Sequence, residues 1–207
     1  MPHYPINVDL KNRRCLVIGG GSVGERKVEM LLEFGAAVVV VSPNVTHKLH
    51  QLVDQRLIRQ IRGVYRPEVL TDAFLVIAAT NVRAVNKAVS LECQRRGILV
   101  NVVDDPELCT FFVPAVVRRG DFVVGVSTSG NSPSLAKRVR EKLEDEFGPE
   151  YGALTEILGE LRDDVKARYP DLEDRNKAYL RVLDSDVLDL LKQGKCDEAM
   201  QRARKCI

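Results

Sequence analysis

Asp104 closes the apolar run Val102-Val103 and is followed by Asp105 and Pro106. A carboxylate in an apolar cleft can serve as a general base toward a molecule placed beside it. Adjacent side chains in extended chain point to opposite sides, so one of the two aspartates faces a ligand while the other caps or faces solvent. The same residues also fit a plain turn, since Asp and Pro favour turns. Far upstream, Cys15-Leu16-Val17-Ile18 leads into Gly19-Gly20-Gly21-Ser22-Val23-Gly24, and a helical pattern follows directly. Gly-x-Gly-x-x-Gly between a strand and a helix is the context of a dinucleotide site. Gly19 permits the tight turn, Gly21 lets backbone approach a pyrophosphate, and Gly24 lets the helix pack close to the strand. Ser22 and Val23 open that helix, whose free N–H groups face phosphates with the positive end of the helix dipole.

A third stretch is Ser127-Thr128-Ser129-Gly130-Asn131-Ser132-Pro133. Hydroxyls and a glycine ahead of a helix N-terminus make a ready site for carboxylate or phosphate. Lys137, Arg138 and Arg140 follow it, and Arg118 and Arg119 precede it. That set suits a ligand with several carboxylates. The alternative is a solvated helix with an ordinary cap, Ser132 at the N-cap and Pro133 first in the helix.

The elements that must position these residues alternate in type. Strands are expected near 14–18, 38–41, 57–61, 74–78 and 98–102, and helices near 22–34, 46–56 and 82–96. Tyr4–Leu10 reads as an edge strand in a short lead-in, with a turn at Lys11-Asn12. Unbroken runs such as Val38–Val41 suit parallel strands buried on both faces. Gly35 and Gly97 stop the helices before them. The alternation predicts an α/β, Rossmann-like parallel sheet. Ligands of such a sheet bind outside the carboxyl ends of its strands. The glycine loop, Ser42-Pro43-Asn44, Thr80-Asn81 and Asp104 are therefore expected at one crevice. After Pro114 the pattern changes to two strands, 115–119 and 122–127, around a Gly120-Asp121 turn, then a helix to about 147. Residues 151–207 show only helical periodicity, broken at Tyr169-Pro170 and near Gly194, with Leu154, Ile157, Leu158 and Leu161 as core.

Strand two ends in Ser42-Pro43-Asn44 rather than in the acid that usually holds the ribose hydroxyls of NAD, and no Arg stands beside it for a 2′-phosphate. Asn44 or the Ser42 hydroxyl is left to bond the ribose, and these residues alone do not choose between NAD and NADP. No metal site is expected. His47 and His50 share a helix face without a carboxylate or cysteine at ligand spacing, and His3 stands apart. Five cysteines without a CxxC pair read as reduced thiols, mostly buried filler, in a cytoplasmic protein. The first residues lack a signal peptide's apolar core, no run is long enough to span a membrane, and no membrane partner is expected. A net charge of +2 does not call for nucleic acid. The basic residues of 137–142 are interrupted by Glu141, with Glu144, Asp145 and Glu146 following.

Taken in order, the chain resembles a known family. Its marks are Pro5-Ile6 with Leu10, Cys15–Gly21 and Glu25-Arg26-Lys27. Ala78-Ala79-Thr80-Asn81, Asn101-Val102-Val103-Asp104, Phe111-Phe112-Val113-Pro114 and Val126–Pro133 follow. It is similar to the precorrin-2 dehydrogenase/sirohydrochlorin ferrochelatase family, the dehydrogenase–chelatase module of siroheme synthase. The likeness is close over about 1–150, and the helical tail matches in character. It implies NAD+-dependent oxidation of the tetrapyrrole precorrin-2 to sirohydrochlorin, followed in many members by insertion of Fe2+, a substrate ion, to give siroheme. It implies that Asp104 serves both reactions, and that Thr128 stands where some siroheme synthases carry a phosphorylated serine. It also implies a homodimer of three parts: an NAD-binding domain over 1–113, a small α+β dimerisation region over 114–150 that interlocks two subunits, and a helical domain over 151–207. The fused methyltransferase domain of siroheme synthases has no counterpart here, so precorrin-2 is expected from a separate enzyme. Two other readings stay open: a dehydrogenase served by a separate chelatase, and a non-catalytic NAD-sensing regulatory domain.

Overall fold

The structure, a computed structural model, describes residues 3–207; the first two residues of the expected lead-in lie outside the described residues. It divides into two compact units, the first ending at Phe112 and the second beginning at Val113.

The first unit is built on five parallel strands: β1 (Arg14–Ile18), β2 (Ala37–Val41), β3 (Arg59–Ile61), β4 (Leu75–Ala78) and β5 (Leu99–Val102). Their order across the sheet is β3-β2-β1-β4-β5. The chain winds outward from β1 to one edge, then returns to the other side of β1. The reversal between β1 and β4 opens a crevice at the carboxyl ends of the strands. Alternate residues feed two cores. Cys15, Val17, Val38, Val40 and Ile77 pack on one face with Val28 and Leu31 of helix α1 (Ser22–Glu33) and Leu49 of α2 (His47–Asp54). Leu16, Ile18, Val39, Val41 and Val76 pack on the other with Val89 and Cys93 of α3 (Arg83–Arg96). Both-face burial is why these strands are written as unbroken β-branched runs. Each fully buried Val, Leu or Ile contributes about 1.5–3 kcal/mol.

One expectation fails here. Residues 4–10 form no strand. Tyr4, Ile6 and Val8 alternate as a strand would, but they are 87%, 64% and 37% exposed, and alternation without a partner edge gains nothing from pairing. Most other differences are a residue or two at element ends, as at Thr46, which caps α2 rather than starting it; the short 3-10 turns Pro67–Leu70 and Pro106–Leu108 and the helix breaks at Leu161 and 184–186 were not expected.

The second unit opens with the antiparallel hairpin β6 (Ala115–Arg119) and β7 (Phe122–Val126), followed by α4 (Pro133–Glu146). Arg119 donates from Nε to the Phe147 carbonyl at 3.0 Å and from Nη2 to that of Glu144 at 3.2 Å. A guanidinium thus satisfies carbonyls that the end of α4 leaves open. Phe122, Phe147 and Tyr151 cluster at the same corner, their rings 5.0–5.3 Å apart. Helices α5 (Glu150–Glu160), α6 (Arg162–Arg168), α7 (Leu172–Leu183), α8 (Val187–Lys192) and α9 (Cys196–Cys206) follow. Leu154, Ile157 and Leu161 lie in their common core with Val165, Val182 and Val187.

A dinucleotide crevice and its carboxylate

The crevice at the β1–β4 switch point has a volume of about 620 Å³. Gly19, Gly21, Ser22 and Val23 line it after β1, Ser42, Pro43 and Asn44 after β2, Thr80 and Asn81 after β4, and Asp104 after β5. The structure therefore brings together all the residues expected at one crevice except Gly24, which lies behind the loop. A Cβ on Gly24 would collide with the Gly19 carbonyl oxygen, so its role is close packing of α1 on β1. Gly19 has φ 117°, a conformation open to glycine. A Cβ added to Gly21 meets nothing within 4 Å, so the space beside the α1 N-terminus is free for a ligand's phosphates. On these observations the residues fit a dinucleotide.

Neighbouring elements brace the loop. Thr46 donates its N–H to the Gly20 carbonyl at 3.0 Å, and its hydroxyl to the Glu25 carboxylate in the first turn of α1. A Cβ on Gly20 would run into the Asn44 carbonyl, so Gly20, which the sequence reading passed over, holds the β1 and β2 loops together.

The Ser42 hydroxyl, expected to bond a ligand, and the hydroxyl of Thr80 both turn inward. Ser42 is buried and donates its hydroxyl to the Asn44 carbonyl at 2.6 Å. The Thr80 hydroxyl lies 2.7 Å from Oδ1 of Asn86, a buried residue in the first turn of α3. Asn86 also accepts the Thr80 N–H at 3.3 Å and donates to the Thr80 carbonyl at 2.9 Å. Helical spacing was a usable signal for it: Asn86, Val89, Ser90 and Cys93 share the buried face of α3, and a buried amide there needs partners.

Asp104 is exposed, not enclosed in an apolar cleft, and its backbone is left-handed at φ 60°. Asp105 turns away to Arg83 Nε at 3.2 Å beside a separate hollow of about 310 Å³, through the left-handed turn at Asp104 rather than the strand alternation expected. Cys109 steadies this turn: its sulfur accepts the Val102 N–H at 3.1 Å and lies 3.4 Å from the Asp105 carbonyl. Lys27, half-buried on α1, feels the Asp104 charge. Burial and neighbouring Arg26 push its ammonium down from the usual range, and the Asp104 carboxylate opposes them. Tyr65 and Val64 line the β2 side of the crevice and were not anticipated either. Burial pushes the Tyr65 hydroxyl up to about 12.

Asp54 stands one turn from His50 and meets its Nδ1 at 3.0 Å, so a carboxylate is at helical spacing after all. No group of three or more metal-ligating side chains occurs among the described residues. The cysteines are free, but only Cys15 and Cys93 are buried; Cys109 and Cys206 are half-buried and Cys196 is exposed. Two thiols, not most of the five, act as core filler.

The hydroxyl-rich loop lies in the second unit. Ser132 caps α4 by accepting the Leu135 N–H at 3.3 Å. Thr128 Oγ1 accepts the Ser132 N–H at 3.0 Å, and the Thr128 carbonyl accepts both the N–H and the side-chain amide of Asn131 at 3.0 Å. Ser129, at φ 52°, donates its N–H to Ser127 Oγ at 3.2 Å, and Gly130 follows at φ 85°. Several N–H groups expected to face an anion are thus engaged by the loop's own oxygens, because short hydroxyl side chains compete for nearby backbone. Lys137 is exposed and pairs with Glu141 at 3.8 Å. No helix among the described residues is long and apolar enough to cross a membrane.

Comparison with known proteins agrees with this geometry. Residues 6–115 match the family described as putative NAD(P)-binding. Residues 119–146 match the sirohaem biosynthesis protein central region, and 150–207 the sirohaem synthase dimerisation region. Siroheme synthase of Chromobacterium violaceum is 38% identical over 98% of this chain and 43% of its own length. That of Methylobacillus flagellatus is 40% identical, with the same coverage. The chain thus spans less than half the length of these curated relatives. The solved structure of SirC, a precorrin-2 dehydrogenase, superposes with a TM-score of 0.77 at 29% identity, covering 98% of this chain and 100% of that one. With an NAD(P)-binding region, a sirohaem central region and a sirohaem dimerisation region in that order, the chain belongs to the precorrin-2 dehydrogenase/sirohydrochlorin ferrochelatase family.

Proposed function

We propose that this chain oxidises precorrin-2 to sirohydrochlorin with NAD+ as acceptor. The observation that carries the reading is the crevice itself: glycine backbone at the β1 end, and Asp104 as the one charged residue among those that line it. The bound cofactor supplies the hydride acceptor. Asp104 takes the proton that leaves the substrate with each hydride, so the oxidation balances. Its exposure lets it return that proton to water. Gly19, Gly21, Ser22, Val23 and Asn44 hold the dinucleotide largely by main chain. NAD+ is favoured over NADP+ because no Lys or Arg is among the lining residues to meet a 2′-phosphate. Thr128, Ser129, Gly130, Asn131, Ser132 and Lys137 hold carboxylates of the substrate.

The same exposed carboxylate favours a second step. Insertion of the substrate ion Fe2+ releases pyrrolic protons, and Asp104 is placed to accept them and pass them to solvent. The protein works as a homodimer. The three-part division at 113/114 and 150/151 belongs to this proposal, with 114–150 interlocking two subunits; the matched dimerisation region lies at 150–207 and would add to the interface. Free thiols throughout suit a reducing cytoplasm.

The test is anaerobic supply of precorrin-2 and NAD+, then Fe2+. NADH absorbance should rise with sirohydrochlorin. Loss of the sirohydrochlorin spectrum on adding Fe2+, faster than without protein, supports the second step. No NADH at saturating protein overturns the proposal.

A further inference from the structure

We infer that Asn86 is a positioning residue for the nicotinamide end of the cofactor, acting through Thr80. The inference rests on the dinucleotide reading of the crevice. The sheet order β3-β2-β1-β4-β5 fixes the direction in which a dinucleotide lies. With its pyrophosphate on the glycine loop after β1, one end lies toward β2 and the other toward β4. Asp104 follows β5, so the reacting end is on the β4 side. The wall at that end is the turn Ala79-Thr80-Asn81.

That turn is tied to β1 by the Ala79 N–H on the Ile18 carbonyl at 2.8 Å, and it is held from both sides. On one side Gly19 abuts it: a Cβ there would collide with the Ala79 carbonyl. On the other side Asn86 grips Thr80 at its N–H, its carbonyl and its hydroxyl, at 3.3, 2.9 and 2.7 Å. All of this buried amide's hydrogen bonds go to one residue of the crevice wall, while Asn86 itself does not line the crevice. The end of β4, which leads into this turn, also carries the approach to Asp104, because the Val103 N–H bonds the Ala78 carbonyl at 3.0 Å. Asn86 therefore sets the distance between the wall and the reacting end. The β2 side, on the far side of the glycine loop, is outside its reach.

The experiment compares two probes on the full chain: NADH, followed by its fluorescence, and ADP-ribose, which lacks the nicotinamide, followed by calorimetry. Asn86→Ala should weaken NADH about tenfold and leave ADP-ribose within about twofold. Asn86→Asp keeps the accepting oxygen but sets a carboxylate oxygen against the Thr80 carbonyl, and should show the same split. It decides the matter if the alanine variant does not fold. Equal weakening of both probes, in step with a lower Tm, would mean general packing and overturns the inference; so does no change in either. Wild type that binds both probes but does not oxidise precorrin-2 sinks the proposed function and leaves this split to be read. Wild type that binds neither probe sinks the inference.

Discussion

Val103 donates its N–H to the carbonyl of Ala78 at 3.0 Å, so the turn that presents Asp104 is pinned to the strand beside the glycine loop. The carboxylate and the phosphate-binding loop are thereby parts of one sheet end. A change at Asp104 should alter chemistry without disturbing what the loop holds.

Asp104→Asn keeps the side-chain shape, and Asn tolerates the left-handed backbone at φ 60°. Turnover should fall about 10²–10⁴-fold, the usual weight of a general base, with nucleotide affinity retained. Stopped anaerobic assays with calorimetric titration of NAD+ check both halves. Unchanged turnover would remove Asp104 from the role of base.

Gly24 and Gly21 should separate packing from binding. Gly24→Ala drives a methyl into the Gly19 carbonyl and should cost about 1–3 kcal/mol, read as a lower Tm. Gly21→Ala meets nothing within 4 Å, so stability should change by less than about 1 kcal/mol. Nucleotide affinity should nevertheless fall, because the methyl takes space beside the helix N-terminus.

Cofactor choice gives a third expectation. Without a cation among the lining residues, kcat/KM with NAD+ should exceed that with NADP+ by at least about tenfold. Parallel assays with the two cofactors measure it directly, and equal use would require a cation that the crevice lining does not supply.

Burial pushes the Cys15 thiol up to about 11 and the Cys93 thiol up to about 12. A raised pKa means that the folded state keeps a proton the unfolded chain gives up near 9. This contribution is fully present below pH 9 and is lost as pH climbs toward 11 for Cys15 and 12 for Cys93, at most about 1.4 kcal/mol per pH unit for each thiol. Urea unfolding across that range should show a shallower decline in Cys93→Ala than in wild type. At pH near 8 a thiol reagent should label exposed Cys196 and spare both buried thiols in the folded protein.

The sheet was legible because burial on both faces leaves an unmistakable record: Val38–Val41 and Leu75–Ala78 have no polar residue to offer. The crevice was legible by rule, since strand ends of a doubly wound sheet converge. What sequence could not carry was orientation. Thr80 and Ser42 were found at the crevice, yet whether a hydroxyl faces the ligand or the protein depends on partners brought from elsewhere, Asn86 in one case and the Asn44 carbonyl in the other. The lead-in misled for a related reason: Tyr4, Ile6 and Val8 alternate, but a strand needs a neighbour, and alternation says nothing about whether one is present. In the loop at 127–132 the N-cap role of Ser132 was legible, but the bonds of Ser127 and Thr128 to neighbouring N–H groups of the same turn went unseen.

Because both hydroxyls turn inward, the crevice offers a ligand fewer side-chain hydrogen bonds, and more of its hold falls to main chain. Sequence drift around such a site costs little, since a peptide group is the same whatever side chain it bears. Replacements that respect the turns leave that main chain in place, while a single added carbon at Gly19, Gly20 or Gly24 collides with a neighbouring carbonyl oxygen of the protein itself. Gly19 and Gly24 of the fingerprint thus mark where a side chain would strike the protein, and Gly21 marks where one would take space beside the helix N-terminus.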